Sequence, residues 1–74
     1  MRYKIYTEKT HPGNPLVKAV LKKGYQNVVV IWQDAISRDR GWTVKGDGQS
    51  LIIRGYGRFE TLAKVNALPK KKPI

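Results

Sequence analysis

Two arginines flank a tyrosine between glycines in the segment Arg54-Gly55-Tyr56-Gly57-Arg58. A guanidinium group offers a planar fork of donors that fits phosphate oxygens, and a tyrosine ring stacks on an unpaired base for about 1–3 kcal/mol. The glycines would let such a ligand approach the main chain closely. They also fit a commoner role, in which they bend a strand into the helix that follows. The segment therefore predicts either a binding site or a bend.

A second arginine pair, Arg38 and Arg40, lies in a polar connection just before Trp42. On a loop these side chains would reach phosphates of a nucleic acid. Alternatively, they pair with the nearby Asp34 and Asp39, a contact that contributes little at a surface. The sequence leaves both interpretations open.

Residues suited to catalysis are few. His11 is the single histidine, its neighbours Thr10 and Pro12 are typical of a turn, and there is no cysteine to form a disulfide or a thiolate metal site. The acids that a metal-dependent nuclease would cluster are scattered along the chain: Asp34, Asp39, Asp47 and Glu60. We therefore expect a non-enzymatic protein without cofactor or metal. A small ribonuclease that uses His11 is a third hypothesis, after the two binding functions below.

The strongest signal is charge. Fifteen Lys and Arg residues face five Asp and Glu, which gives a net charge of +10 on 74 residues and an isoelectric point near 10.2. Such a surface repels itself, and a polyanion whose condensed counterions are released on binding relieves that repulsion. We expect the partner to be a nucleic acid, DNA or RNA. The alternative is an interaction or inhibitor protein, of phage or mobile-element type, that docks on an acidic protein surface.

The two basic residue types are distributed differently. Four of the five arginines lie between residues 38 and 58, whereas nine of the ten lysines lie outside that range. Lysine acts as a point charge and arginine makes bidentate contacts. The hypothesis is that lysines near both ends anchor phosphates and central arginines make the finer contacts.

The chain length indicates one domain near the lower size limit for unaided folding. We expect that domain to span residues 1–69 and residues 70–74 to be a disordered basic tail. No stretch has the roughly 18 apolar residues of a membrane span, and the first residues lack a signal-peptide core. The expected location is cytoplasmic.

The first half of the chain predicts a strand, a helix and a second strand. Alternation indicates a strand over residues 2–8, and Asn14 before Pro15 is typical of a helix start. That helix ends near Gly24, with an apolar stripe facing the core and a basic face made of Lys18, Lys22 and Lys23. The unbroken run 28–32 predicts a central strand buried on both faces.

The second half predicts a hairpin and a last helix. Asp47-Gly48 between two apolar runs is a strong turn signal, and a two-residue turn would pair Trp42 with Ile53 and Val44 with Leu51. The predicted final helix covers 60–68 and ends at Pro69. Its expected buried side is Phe59, Leu62, Ala63 and Ala67, with Leu68 as a further candidate.

These elements predict an α+β fold in the order β-α-β-β-β-α. It has a small antiparallel sheet of three to four strands, with one or two helices packed on one face. Trp32 and Trp42 are expected in the core, because so small a domain needs large aromatic side chains there. The opposite face of the sheet would be open.

Two family resemblances follow from this layout. From Asn14 to Leu68 the order helix, three strands, helix resembles the double-stranded-RNA-binding domain. Gly55-x-Gly57 followed by Ala63-Lys64 is similar to that family's third strand entering its last helix. The family's paired lysines before the alanine-lysine step correspond here to Glu60 and Thr61.

The second resemblance covers residues 28–68, where three strands precede a helix. This layout is similar to the arm-binding domains of phage-type integrases and to plant ethylene-response-type domains, which lay a sheet in the DNA major groove. It implies that the residues contacting bases are Arg38, Arg40, Lys45, Arg54 and Tyr56.

The leading prediction is a nucleic-acid-binding module that uses the open sheet face and loop arginines. The predicted contact residues are Arg38, Arg40, Lys45, Arg54, Tyr56, Arg58, Lys22, Lys23, Lys70, Lys71 and Lys72. The lysines among them at positions 22, 23 and 70–72 would supply non-specific affinity.

Overall fold

A computed structural model describes residues 2–34 and 41–70, which form four strands and two α-helices. The strands are β1 (Arg2–Thr7), β2 (Val29–Asp34), β3 (Gly41–Gly46) and β4 (Leu51–Gly55), and the helices are α1 (Pro15–Lys22) and α2 (Arg58–Asn66). The strands form one antiparallel sheet in the order β1-β2-β3-β4. The predicted α+β class and the β-α-β-β-β-α order are confirmed.

Both helices pack on one face of the sheet. Directly paired residues share a face, and the register places Tyr6, Val30, Val44 and Ile53 in one row across the four strands on the helix side. The fully buried core is aliphatic: Leu16, Val17, Val20, Val28, Val30, Val44 and Val65. Full burial of such a side chain contributes about 1.5–3 kcal/mol, and partly buried side chains, Trp42 and Ile53 among them, pack against this cluster.

Helix α1 begins and ends at the predicted residues. The Asn14 side-chain oxygen accepts hydrogen bonds from the amides of Leu16 (2.9 Å) and Val17 (3.2 Å), which caps the helix start. Gly24 follows the helix with φ of 97°, and its amide donates to the Leu21 oxygen at 3.0 Å.

The two tryptophans lie side by side at one end of the helix-facing side. Their ring centroids are 4.9 Å apart, and the Tyr6 ring lies 5.9 Å from that of Trp42. Both are half-buried, and Trp42 packs against the aliphatic core. The predicted core placement therefore holds for Trp42, whereas Trp32 contacts the Trp42 ring but does not pack against the aliphatic core.

Strand β2 is central, as predicted, but the prediction that it is buried on both faces is wrong. Val30 is fully buried under the helices, whereas Val29 and Ile31 on the opposite face stay half-exposed. No described element covers that opposite face, which we call the open face.

Neither of the two described α-helices has the length and apolar character that a membrane-spanning helix needs.

The hairpin has the predicted faces but a different register. Val44 pairs with Ile53 and Trp42 with Gly55, two residues further along β4 than a two-residue turn would give. The connection is longer because Asp47 bonds elsewhere. Its amide donates to the Gln26 oxygen (2.8 Å), and its carboxylate accepts from the Gln26 amide (2.9 Å).

Helix α2 turns a different side to the core from the one predicted. Thr61 and Val65 are fully buried, and of the predicted residues Leu62 packs against the core, whereas Phe59 is 80% exposed and Ala63 and Ala67 are exposed. The helix rests on Gly55, where an added Cβ would clash with the Thr61 hydroxyl. This close approach fixes which side of the helix faces inward.

Candidate functional site

Four lysines line one groove on the helical side of the molecule. The groove has a volume of about 450 Å³ and runs between α1 and the end of α2. Its charged lining consists of Lys18, Lys22, Lys23 and Lys70, with Asn66 beside them. Among the described residues that line it there is no acid, so the charge that they contribute is entirely positive. We call it the lysine groove.

The lysine groove is not explained by folding alone. Lys18 and Lys22 are four residues apart on α1, and like charges at that spacing cost about 0.2–0.5 kcal/mol. Lys22 and Lys23 gain from the negative end of the helix dipole, but Lys18 and Lys70 are not at that end. Within residues 2–34 and 41–70, none of the four side chains forms an ion pair or hydrogen bond. The groove therefore holds cations that no described acid neutralises.

Two acids of the chain cap main-chain amides. Glu60 accepts from the amide of Tyr56 at 2.7 Å, and Asp47 accepts from the amide of Gln26 at 2.9 Å. The Glu60 carboxylate thus stabilises the start of α2, and the Asp47 carboxylate ties the hairpin to the segment before β2. This leaves still less negative charge available to the lysines.

The open face carries two of the predicted cations among apolar side chains. Lys45 pairs with Ile52, and Arg54 pairs with Thr43, so both basic side chains are on the face opposite the helices. Tyr3, Ile5 and Ile52 on the same face are each more than half exposed. This face is therefore mixed apolar and basic.

The predicted cations consequently lie on two sides of the sheet. Lys22, Lys23 and Lys70 line the lysine groove on the helical side, whereas Lys45 and Arg54 lie on the open face. One straight duplex touches only one side of a sheet, so these two sets do not form a single flat contact surface.

The Arg54–Arg58 segment forms a corner where β4 passes into α2. The Tyr56 ring is 73% exposed and the Phe59 ring 80% exposed. The Arg58 guanidinium carbon lies 5.7 Å from the centroid of the Phe59 ring, within cation–π range. We call Tyr56, Arg58 and Phe59 the aromatic corner.

Of the corner's glycines, Gly55 has a packing role. It makes room for Thr61 where β4 passes into α2, and the Thr61 hydroxyl donates to the Gly57 oxygen at 2.8 Å. Gly57 has open space around it. The bend and the exposed tyrosine thus coexist.

His11 takes part in a turn, as its neighbours indicated. Its Nδ1 lies 3.0 Å from the Thr10 hydroxyl, and its ring packs edge-on against Tyr6 with 4.7 Å between centroids. Within the described residues, no group of three or more His, Cys, Asp or Glu side chains is placed to hold a metal ion.

Four predicted contact residues, Arg38, Arg40, Lys71 and Lys72, lie outside the described residues. Sequence reasoning missed two features of the site. It placed Phe59 in the core, and it did not bring Lys70 to the helix that carries Lys18. The i, i+4 spacing of Lys18 and Lys22 was the available signal for the groove.

No protein-family model matches the chain, and neither a curated protein nor a solved structure shows significant similarity to it. The α-β-β-β-α order expected from the double-stranded-RNA-binding resemblance is present over residues 15–66. That order alone describes architecture, so function has to be inferred from the chain's own residues.

Proposed function

We propose that this chain is a non-enzymatic nucleic-acid-binding protein, for DNA or RNA, whose main phosphate contacts lie in the lysine groove. The observation that carries the proposal is the convergence of four lysines, with no acid among the described lining residues, on a chain of net charge +10. Phosphates placed in the groove would neutralise charges that folding leaves uncompensated, and the counterions released would favour binding.

The predicted arginines take a secondary place in this proposal. Lys45 and Arg54 are on the open face, so they would contact a nucleic acid that bends around the sheet edge rather than the segment in the groove. Tyr56 and Arg58 lie at the corner between the two sides and extend the contact. Arg38, Arg40, Lys71 and Lys72 remain proposed contacts from the sequence.

The proposal is tested by the salt dependence of binding. Fluorescence anisotropy with labelled duplex and single-stranded DNA and RNA should show a steep fall in affinity with added salt, with a slope of about −0.9 per neutralised phosphate for duplex DNA. The double variant Lys18→Gln/Lys22→Gln should make that slope shallower by about 1.8, since two contacts are lost.

The matched control removes two exposed lysines that do not line the groove. Lys4→Gln/Lys9→Gln lowers the net charge equally, so it should change the slope much less. Equal effects of the two double variants would contradict the groove as the binding site. A flat salt response in the wild type would contradict nucleic-acid binding itself.

A protein partner is the second candidate, and the open face favours it. Tyr3, Ile5 and Ile52 expose apolar surface beside Lys45 and Arg54, a composition suited to an acidic partner with an apolar centre. A pull-down tests this candidate. It would be supported by a protein partner whose binding resists nuclease treatment, is lost with the Ile52→Lys variant and is retained with Lys18→Gln/Lys22→Gln.

A further inference from the structure

The two most exposed large hydrophobic side chains of the described residues are three positions apart. Phe59 is 80% exposed and Tyr56 is 73% exposed, more than any other large apolar residue in that part of the chain. Neither ring packs in the core, which is filled by aliphatic residues. Two rings kept in water at one corner are available to a ligand.

The backbone of the aromatic corner is held in place by several hydrogen bonds. Glu60 accepts from the Tyr56 amide (2.7 Å), and the Gly57 oxygen accepts from both the amide (3.0 Å) and the hydroxyl (2.8 Å) of Thr61. Thr61 is itself fully buried. A ligand that binds the rings would therefore not have to order this backbone, which lowers the entropic cost of binding.

The charges at the corner favour an anionic ligand with flat apolar faces. The Arg58 guanidinium lies over the Phe59 ring, and Arg54 precedes Tyr56 by two residues at the end of β4. An arginine beside an exposed ring can bind a phosphate while the ring stacks on a base. An unpaired nucleotide offers both groups, whereas a paired base in a duplex has its faces covered by its neighbours.

The aromatic corner and the lysine groove are connected along one helix. Phe59 and Asn66 are seven residues apart on α2, which is about two turns, so both are on the same side of the helix. At 1.5 Å per residue, they are separated by about 10 Å along its axis. Asn66 lines the groove beside Lys70, and the intervening Ala63 is small and exposed. A single strand can therefore follow α2 from the rings to the lysines.

We infer that the aromatic corner is a stacking site for unpaired bases of a single-stranded or looped nucleic acid whose phosphates continue into the lysine groove. This inference rests on the proposed function and narrows its substrate class. Duplex would still bind the lysines, but it would gain nothing from the two rings.

The test compares single strands with duplexes of the same sequence at one salt concentration, by fluorescence anisotropy. Tyr56→Ala and Phe59→Ala are each expected to weaken single-strand binding by roughly fivefold to a hundredfold, since stacking of about 1–3 kcal/mol per base converts at about 1.4 kcal/mol per tenfold. Duplex affinity should change by less than about twofold.

Two controls separate stacking from other effects. Tyr56→Phe keeps the ring, so it should retain single-strand affinity. Ile52→Ala removes an exposed apolar side chain from the open face and should leave the affinity for both oligonucleotides unchanged. Because both rings are exposed, circular dichroism melting of the alanine variants should match that of the wild type.

The failures of this inference and of the proposed function are distinguishable. Unchanged single-strand affinity in Tyr56→Ala/Phe59→Ala, with binding still lost in Lys18→Gln/Lys22→Gln, would overturn the stacking site alone. Equal losses for duplex and single strand would also overturn it. If the double alanine variant instead lost binding only to a synthetic Glu/Phe peptide, the corner would be a protein contact and the inference wrong.

Discussion

The ammonium group of Lys64 on α2 donates a hydrogen bond to the main-chain oxygen of Arg54 on β4, at 2.8 Å. The bond ties the last helix back to the end of the strand that precedes it. Lys64 is also the lysine of the alanine-lysine step in the resemblance to the double-stranded-RNA-binding domain. In this chain the group has a hydrogen bond within the fold, whereas the ammonium groups of the groove lysines have none to the described residues.

Lys64→Met should therefore affect stability more than binding. Losing one exposed hydrogen bond should lower the free energy of unfolding by up to about 1 kcal/mol, measured by urea denaturation, with little change in the salt slope of nucleic-acid binding. Lys18→Met removes the same charge from the groove, away from the end of the helix dipole, and should change the salt slope without lowering stability. Similar slope changes in the two variants would mean that Lys64 also contacts phosphates.

Gly55→Ala should destabilise the protein, because the new Cβ would clash with the Thr61 hydroxyl and lie 3.2 Å from the Thr61 Cα. Overpacking of this kind typically costs about 1–3 kcal/mol. Gly57→Ala is the matched control, since that glycine has no atom within 4 Å of an added Cβ and a φ of −109°. It should change the unfolding free energy by about 0.5 kcal/mol or less. Equal losses of unfolding free energy in the two variants would show that the close contact with Thr61 does not exclude a side chain at position 55.

The orientation of α2 can be tested with one buried and one exposed residue. Val65 is fully buried against the core, so Val65→Ala should cost about 2 kcal/mol from the lost methyl groups and the cavity they leave. Phe59→Ala should stay within about 0.5 kcal/mol because the ring is 80% exposed. Thermal and urea unfolding measure both. A larger loss for Phe59→Ala would mean that the helix presents the other side to the sheet.

The order of elements was predictable because local signals mark the ends of the elements. Asn14 and Pro15 begin α1, Gly24 follows its end, and the Asp47-Gly48 turn separates β3 from β4. Each signal acts through the backbone conformation of its own few residues. Such signals need no knowledge of what the element packs against.

The parts that depend on distant contacts were not predictable in the same way. The hairpin register depends on hydrogen bonds between Asp47 and Gln26, twenty-one residues apart. The buried side of α2 depends on the fit of Thr61 against Gly55, and an apolar pattern alone selected Phe59 instead. Hydrophobic periodicity indicates that one side of a helix is buried. When two sides are similarly apolar, the pattern does not identify which of them faces the core.

The candidate site follows the same division. The basic face of α1 was visible from the spacing of its lysines, but its meeting with Lys70 arises only when α2 packs against α1. Tyr56 was a candidate from its segment alone, whereas Phe59 became one only through the packing of α2, which leaves its ring exposed.

Lys18 should show opposing effects on stability and on binding. It lies one turn from Lys22 in a helix without acidic residues, so Lys18→Gln should raise the unfolding free energy by about 0.2–0.5 kcal/mol at low ionic strength. Lysine and glutamine have similar helix propensities, so the gain would come from relieved repulsion and should vanish at about 1 M salt, where screening is nearly complete.

The same variant should bind nucleic acid more weakly, with a salt slope about 0.9 shallower for duplex DNA. Thermal unfolding at two salt concentrations, paired with anisotropy, measures both effects. If Lys18→Gln destabilised the fold at every salt concentration, lost packing of its aliphatic stem would outweigh the relieved repulsion, and the predicted gain in stability would be wrong.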